Sequence, residues 1–295
     1  MPRMDVGIVV RPELAPESLA DRAREVEAAG FAELWLWEDC FLAGGIAASA
    51  TALAVTQRLT VGLGIMPAPV RNAAFAAMEI AALARLHPGR FHAGLGHGAD
   101  AWMRQIGVKP ASQLALLEET LGAVRALLAG DTVSAEGRYV RLREVALDHP
   151  PAQPPPVSAG VRGPRSLELS GRVADGTVLD WLSTPAYVRW ARERIDAGRA
   201  AAGRTDAHRL TVFTCVATGH EAAFERALAE RRGQGDAAVA FLDAPPGDLA
   251  LTGDPDAQRA SLAALAAAGA DSVVLVSPDP GAPLDPGALA HLLAA

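Results

Sequence analysis

Three short stretches of this chain combine residue types that can do chemistry. Asp39, between Glu38 and Cys40, directly follows the apolar run Leu34-Trp-Leu-Trp37. An acid in that place ends a buried strand and can orient a ring nitrogen or pass a proton. His97 lies in Gly94-x-Gly96-His97-Gly98. Its glycine neighbours give it no packed shell, which suits a ligand contact or proton transfer, and they let backbone come close to a bound molecule. Asp100 just beyond can open a helix whose first amides attract an anion. Gly163-Pro164-Arg165 starts another helix with free amides beside a guanidinium, a pairing that suits phosphate. Each stretch also has a plain structural reading: a rim charge, a tight turn, and a proline-started helix with a surface arginine.

Other chemistries are excluded by what is missing. The glycine run is not a dinucleotide fingerprint, because Glu118 and Glu119, about 20 residues on, fall inside a helical pattern rather than at a strand end. No His, Cys or carboxylate group has metal-ligand spacing, and no Gly-x-Ser-x-Gly elbow occurs. Lys109 is the only lysine and lies away from any strand end, so Schiff-base chemistry lacks its nucleophile. The net charge of −7 and the scattered basic residues argue against a nucleic-acid partner. Cys40 and Cys215 are too far apart in sequence to indicate a framework and read as free thiols in a reducing cytoplasm. The start of the chain lacks a signal-type apolar core, and the weakly polar run 42–55 is too short to span a bilayer. A cytoplasmic protein with no membrane partner is expected.

The elements that must position these residues follow a steady rhythm. Apolar runs at 5–10, 33–37, 59–65, 91–96, 157–160, 176–181, 210–217 and 272–276 read as strands buried on both faces. Helical patterns fall between them at 16–30, 46–55, 73–86, 112–128, 163–169, 185–202, 221–232 and 256–268, with a last one at 286–293. Glu136-Gly137 between two β-rich runs predicts a hairpin near 131–143 as a surface excursion. The proline-rich stretch 150–156 is not a domain linker, since the alternation resumes at once. Eight strands alternating with helices predict an α/β fold, a closed (β/α)8 TIM barrel with loop insertions, forming one domain over 1–295. A doubly wound sheet is the rival. In a barrel the candidate residues gather at the strand ends: Arg11, Glu38 to Cys40, Met66-Pro67, His97, Gly160 to Arg165, Asp180-Trp181, Thr218 and Ser277.

Read in this order and spacing, three blocks make the chain resemble the bacterial luciferase-like monooxygenase family, and within it the deazaflavin (coenzyme F-420)-dependent oxidoreductases. They are Ala28-Ala-Gly-Phe-Ala-Glu-Leu-Trp35 with Glu38-Asp39, the Gly89-Arg-Phe-x-x-Gly-x-Gly-x-Gly block, and Pro155-Pro-Val-Ser-Ala-Gly160 leading to Gly163-Pro-Arg with Ala174-Asp-Gly176. The resemblance implies a flavin-binding barrel, bacterial luciferase-like and usually dimeric, that transfers hydride to or from its cofactor. It implies that Asp39 and Cys40 lie beside the cofactor ring, and that Met66 marks a non-proline cis peptide under it. Gly96, His97 and Gly98 would line the ring and its side chain, Ala159 and Gly160 would border the tail, and Gly163, Pro164 and Arg165 would hold the phosphate end. Asp39 and His97 would be the catalytic groups.

The chain departs from the family's pattern twice: Asp39-Cys40 stands where Asp-His is frequent, and Ala99 followed by Asp100 stands where a Glu is frequent. Two alternatives follow. One is a flavin mononucleotide (FMN)-dependent monooxygenase served by a separate reductase; the other is a non-catalytic flavin- or deazaflavin-binding protein. Deazaflavin reacts poorly with oxygen, so an oxygenase would need FMN. A small organic molecule is the expected substrate and a second copy of the chain the expected partner.

Overall fold

The protein is described by a computed structural model that covers residues 4–235 and 237–294. Residues 1–3, on which the reading of the chain's start partly rests, lie outside the described residues.

The elements in order are β1 (Asp5–Val10), α1 (Leu19–Ala28), β2 (Glu33–Leu36), α2 (Gly45–Val55), β3 (Thr60–Pro67), α3 (Ala73–Leu86), β4 (Phe91–Gly96), α4 (Asp100–Gln105), α5 (Gln113–Leu128), β5 (Val133–Glu136), β6 (Arg141–Val145), β7 (Val157–Gly160), α6 (Pro164–Val173), β8 (Gly176–Leu179), α7 (Pro185–Ala201), β9 (Arg209–Val216), α8 (Glu221–Arg232), α9 (Pro246–Leu249), β10 (Ala250–Leu251), α10 (Pro255–Ala267), β11 (Ser272–Val276) and α11 (Pro286–Leu289). Strands β1, β2, β3, β4, β7, β8, β9 and β11 pair in parallel in that order, and β11 pairs back to β1, so the ring closes. The fold is therefore a (β/α)8 barrel, as the alternation predicts, and not a doubly wound sheet.

Local chemistry sets the helix ends. Asn72, Ser112, Thr184 and Asp254 accept hydrogen bonds from backbone N–H groups in the first turns of α3, α5, α7 and α10. The predicted hairpin forms as β5 and β6. It is fastened to α5 by Glu119, whose carboxylate accepts from the amides of Arg138, Tyr139 and Val140. Three differences from expectation are small. The helix over 16–30 begins as a 3-10 turn, Pro16–Ser18; the helix over 286–293 divides into α11 and the 3-10 segment Ala290–Ala294; and β3 runs on to Pro67.

The barrel interior is narrow and filled from few positions. Trp35 lies edge-on to Phe213 (5.5 Å between ring centres) and 5.1 Å from the His92 ring, with Val9, Val178, Val274 and Val276 around them. Gly62 makes room for Trp35, since a Cβ there would sit 2.3 Å from the indole ring. Below this layer, at the N-terminal end of the barrel, Glu33 accepts from Trp35 Nε1 (2.8 Å) and Ser272 Oγ (2.7 Å) and pairs with Arg209, which also reaches Asp5 (2.7 Å). The buried Glu33 carboxylate thus has a cation beside it, as burial in a low-dielectric interior demands.

Candidate active site

A cleft of about 480 Å³ opens at the C-terminal ends of the barrel strands, the end at which barrels of this kind carry their chemistry. Its walls come from the segments after β2, β4, β7 and β8 and from residues within β3, β7, β8 and β9.

Asp39 reaches the cleft because β2 points alternate residues inward: Glu33 and Trp35 fill the barrel, and Trp37 and Asp39 continue the series into the opening. Burial pushes the Asp39 carboxyl up to about 6, with the Glu13 and Asp180 carboxylates adding to the shift and Arg11 opposing it. Glu38 has a different task. It takes both ends of the Arg71 guanidinium at 2.6 Å and accepts from Gly45 N (3.1 Å), so it ties the start of α2 to the β3–α3 connection. Arg11 is likewise engaged, by Glu13 (2.6 Å), the Ser277 carbonyl (2.9 Å) and the Trp37 ring face (5.3 Å).

His97 stands just past β4 with Nε2 3.1 Å from Ser166 Oγ in the first turn of α6. Its Nδ1 is buried and, among the described residues, has no partner within strict hydrogen-bonding geometry, the Gln113 backbone being a polar neighbour of the ring. Burial pushes its pKa below the ordinary value, with Lys109 and Arg162 acting in the same direction and the Gln113 backbone against them. Gly98 holds a left-handed conformation (φ +70°), and a Cβ there would meet the Met103 sulfur at 2.9 Å. On the opposite wall Arg162 pairs with Asp180 (3.0 Å) and donates to Gln234 (3.1 Å).

Of the expected site residues, Asp39, His97, Gly98, Gly160 and Gly163 meet on this cleft. Cys40, Met66, Gly96, Ala159, Pro164 and Arg165 do not line it. Met66 is wholly buried in the outer core, and the cis peptide expected there joins Gly64 to Ile65 instead, at the irregularity between Leu63 and Met66 that shifts the β3–β4 register. Ile65 therefore takes the wall position and packs over Gly160, where a Cβ would come within 2.4 Å of its Cγ2. Ala159 points to the outer core, and Gly96 lies buried beneath Ile65. Pro164 and Arg165 are exposed, and Arg162 is the guanidinium that faces the cleft. Cys40 is half-buried beside a second cis peptide, Cys40–Phe41, and burial together with Glu38 and Asp39 pushes its thiol up. Asp100 does not enter the cleft; it pairs with Arg104 (2.7 Å) and Lys109.

Ile65, Ser166, Val178 and Phe213 were not singled out from the sequence. Phe213 and Val178 belong to strands buried on both faces, where periodicity does not separate inward from outward positions. Ile65 points inward because of the β3 irregularity, which has no sequence signal. The histidine's partner, Ser166, follows Gly163 by three residues, one turn into the helix that the sequence predicts there.

A closed parallel barrel with a partly aromatic cleft at its C-terminal end, carrying a carboxyl with a raised pKa and a largely buried imidazole, defines a cofactor- or substrate-binding barrel. A family model described as luciferase-like monooxygenase matches residues 4–272, and the chain belongs to that family. The 5,10-methylenetetrahydromethanopterin reductase of Methanolobus tindarius is 29% identical over 250 residues, 84% of this chain and 74% of that protein. The F-420-dependent glucose-6-phosphate dehydrogenase of Nakamurella multipartita is 27% identical over 183 residues, covering 56% of this chain and about half (52%) of that protein. Among solved structures, an F-420-dependent secondary alcohol dehydrogenase superposes with a TM-score of 0.84 at 17% identity over 98% of each chain, a likeness of fold.

Proposed function

We propose that the protein is a deazaflavin-dependent oxidoreductase, a single-domain barrel that transfers a hydride between coenzyme F-420 and a small organic substrate. The observation that carries this reading is Asp39, a carboxyl on the cleft wall held near neutrality by burial. The cleft fits a flat tricyclic group. Ile65, seated over Gly160 and Gly96, gives a smooth floor; Trp37 and Phe213 supply aromatic wall; and the amides at the start of α6 suit an anionic tail. Relatives named for F-420 or for a reductase support the choice of cofactor.

When bound in its reduced form, the cofactor supplies a hydride from C5. The chain's own residues do the rest. Asp39 gives a proton to the oxygen of a carbonyl being reduced, or takes one from the hydroxyl being oxidised. His97, steadied by Ser166 on Nε2, lines the cofactor's place together with Gly98. Gly163 presents backbone at the anionic end. Glu38 and Arg71 hold the loop that carries Asp39.

We place the protein in the cytoplasm, with a separate enzyme renewing the reduced cofactor. No helix among the described residues is long and apolar enough to cross a membrane. It works as a homodimer. The outward side of α3 exposes Phe75 (63%), Met78 (52%) and Leu86 (72%) at helical spacing, an apolar stripe that a second copy would cover. Titrating the purified protein with F-420 and with FMN tests the cofactor. Binding of F-420 is expected, and tight binding of FMN with none of F-420 would overturn the reading in favour of an oxygenase.

A further inference from the structure

The cleft's charges bear on what it accepts. Among the described residues Arg162 is the cation that lines the cleft, and Arg11, Arg71 and Lys109 stand behind its walls; each is engaged by a carboxylate of the chain itself: Arg162 by Asp180, Arg11 by Glu13, Arg71 by Glu38 and Glu79, and Lys109 by Asp100. The acids Asp39 and Asp180 face the same space. An anionic substituent seated here would have to break an ion pair while approaching two carboxyls, in a cleft that removes much of its water. The remaining wall beside Asp39 is apolar and mostly aromatic. Trp37 and Phe213 lie 5.8 Å apart and tilted by 32°, and Trp181 and Val178 extend the surface. Such a surface gains from burying rings and aliphatic carbon.

We propose that the reacting side of the cleft takes a neutral, largely apolar aromatic or alicyclic carbonyl compound, or the matching alcohol, and turns away carboxylated and phosphorylated ones. The proposal rests on the oxidoreductase reading above. The step is a two-electron reduction: the carbonyl carbon gains a hydride from the reduced cofactor, the oxygen gains a proton from Asp39, C=O becomes CH–OH, and the cofactor is oxidised. In the other direction the same atoms move back. Phosphorylated sugars, the class named in two relatives, meet on the cleft wall a cation already engaged by Asp180.

A matched pair of ketones tests this directly: 2-acetylnaphthalene and 6-acetyl-2-naphthoate share ring and carbonyl and differ in one carboxylate. Equilibrium dialysis of each against the full chain, with and without oxidised F-420, is expected to show the neutral ketone binding about 100-fold more tightly, the size of effect that an uncompensated partly buried charge produces. In Asp180→Asn, where Arg162 loses its carboxylate, that preference is expected to shrink about tenfold. Equal binding of the two ketones, no binding of the neutral one, or an unchanged preference in a folded Asp180→Asn variant would each overturn the proposal. An F-420 titration of the same preparation separates the two levels. Absence of F-420 binding overturns the cofactor reading, while the ketone pair still decides the selectivity of the cleft in the cofactor-free chain.

Discussion

Asp39 and Glu38 are adjacent acids with opposite fates, and the difference lies in their partners. Glu38 meets an arginine and is fixed; Asp39 is pushed up to about 6 by burial and by other carboxyls, with Arg11 opposing them. The pH dependence follows from the sign of that shift. If Asp39 donates the proton, kcat/KM for carbonyl reduction falls as pH rises through about 6, and Asp39→Asn removes that limb with a loss of roughly 100-fold or more in rate. The folded state holds this proton more tightly than the unfolded chain does, so Asp39 costs stability as pH rises from about 4 to 6. Asp39→Asn is therefore expected to be more stable than the wild type at pH 7.5, by about 2 kcal/mol after allowing for partial exposure, and equal to it at pH 4. Chemical denaturation at the two pH values measures this. The imidazole gives a second check at the same scale: His97→Leu is expected to weaken F-420 binding far more than Arg11→Ala. Equal losses in a fluorescence titration would mean that the ring does not lie against His97.

Among the elements, β3 decides more of the site than its sequence discloses. Leu63 faces the outer core in step with the strand, and past the irregularity Ile65 points into the cleft and Met66 is core. A strand buried on both faces carries no alternation to reveal such a shift. The same strand holds Gly62 under Trp35. Gly62→Ala would bring a methyl within 2.3 Å of the indole ring, and a cost of about 2–3 kcal/mol is expected from overpacking. The measurement is the urea midpoint, and a variant as stable as the wild type would mean that Trp35 has room to move. By contrast the helix ends were legible, because Asn72, Ser112, Thr184 and Asp254 act through neighbours in the chain.

For the whole molecule, closure of the ring gathers into one cleft residues as distant in sequence as Asp39, His97, Gly163, Asp180 and Phe213. The outer surface makes its own prediction. A soluble monomer gains nothing from Phe75, Met78 and Leu86 on one exposed helix face. Phe75→Asp with Met78→Asp is expected to convert a dimer to a monomer in sedimentation, with the barrel's far-UV circular dichroism retained. A wild-type monomer would overturn the dimer proposal.

The sequence by itself determined the alternation of strands and helices, the closed barrel as its natural end, and the strand-end positions of Asp39, His97, Gly160 and Gly163. All of these depend on periodicity, turn residues and neighbours close along the chain. Only the tertiary structure decided that Arg162 rather than Arg165 faces the cleft, that Ile65 replaces Met66 on its wall, and that Glu38 is tied to Arg71 while Asp39 is left to titrate. Those outcomes depend on register, burial and charges brought together from separate strands, which one-dimensional spacing does not encode.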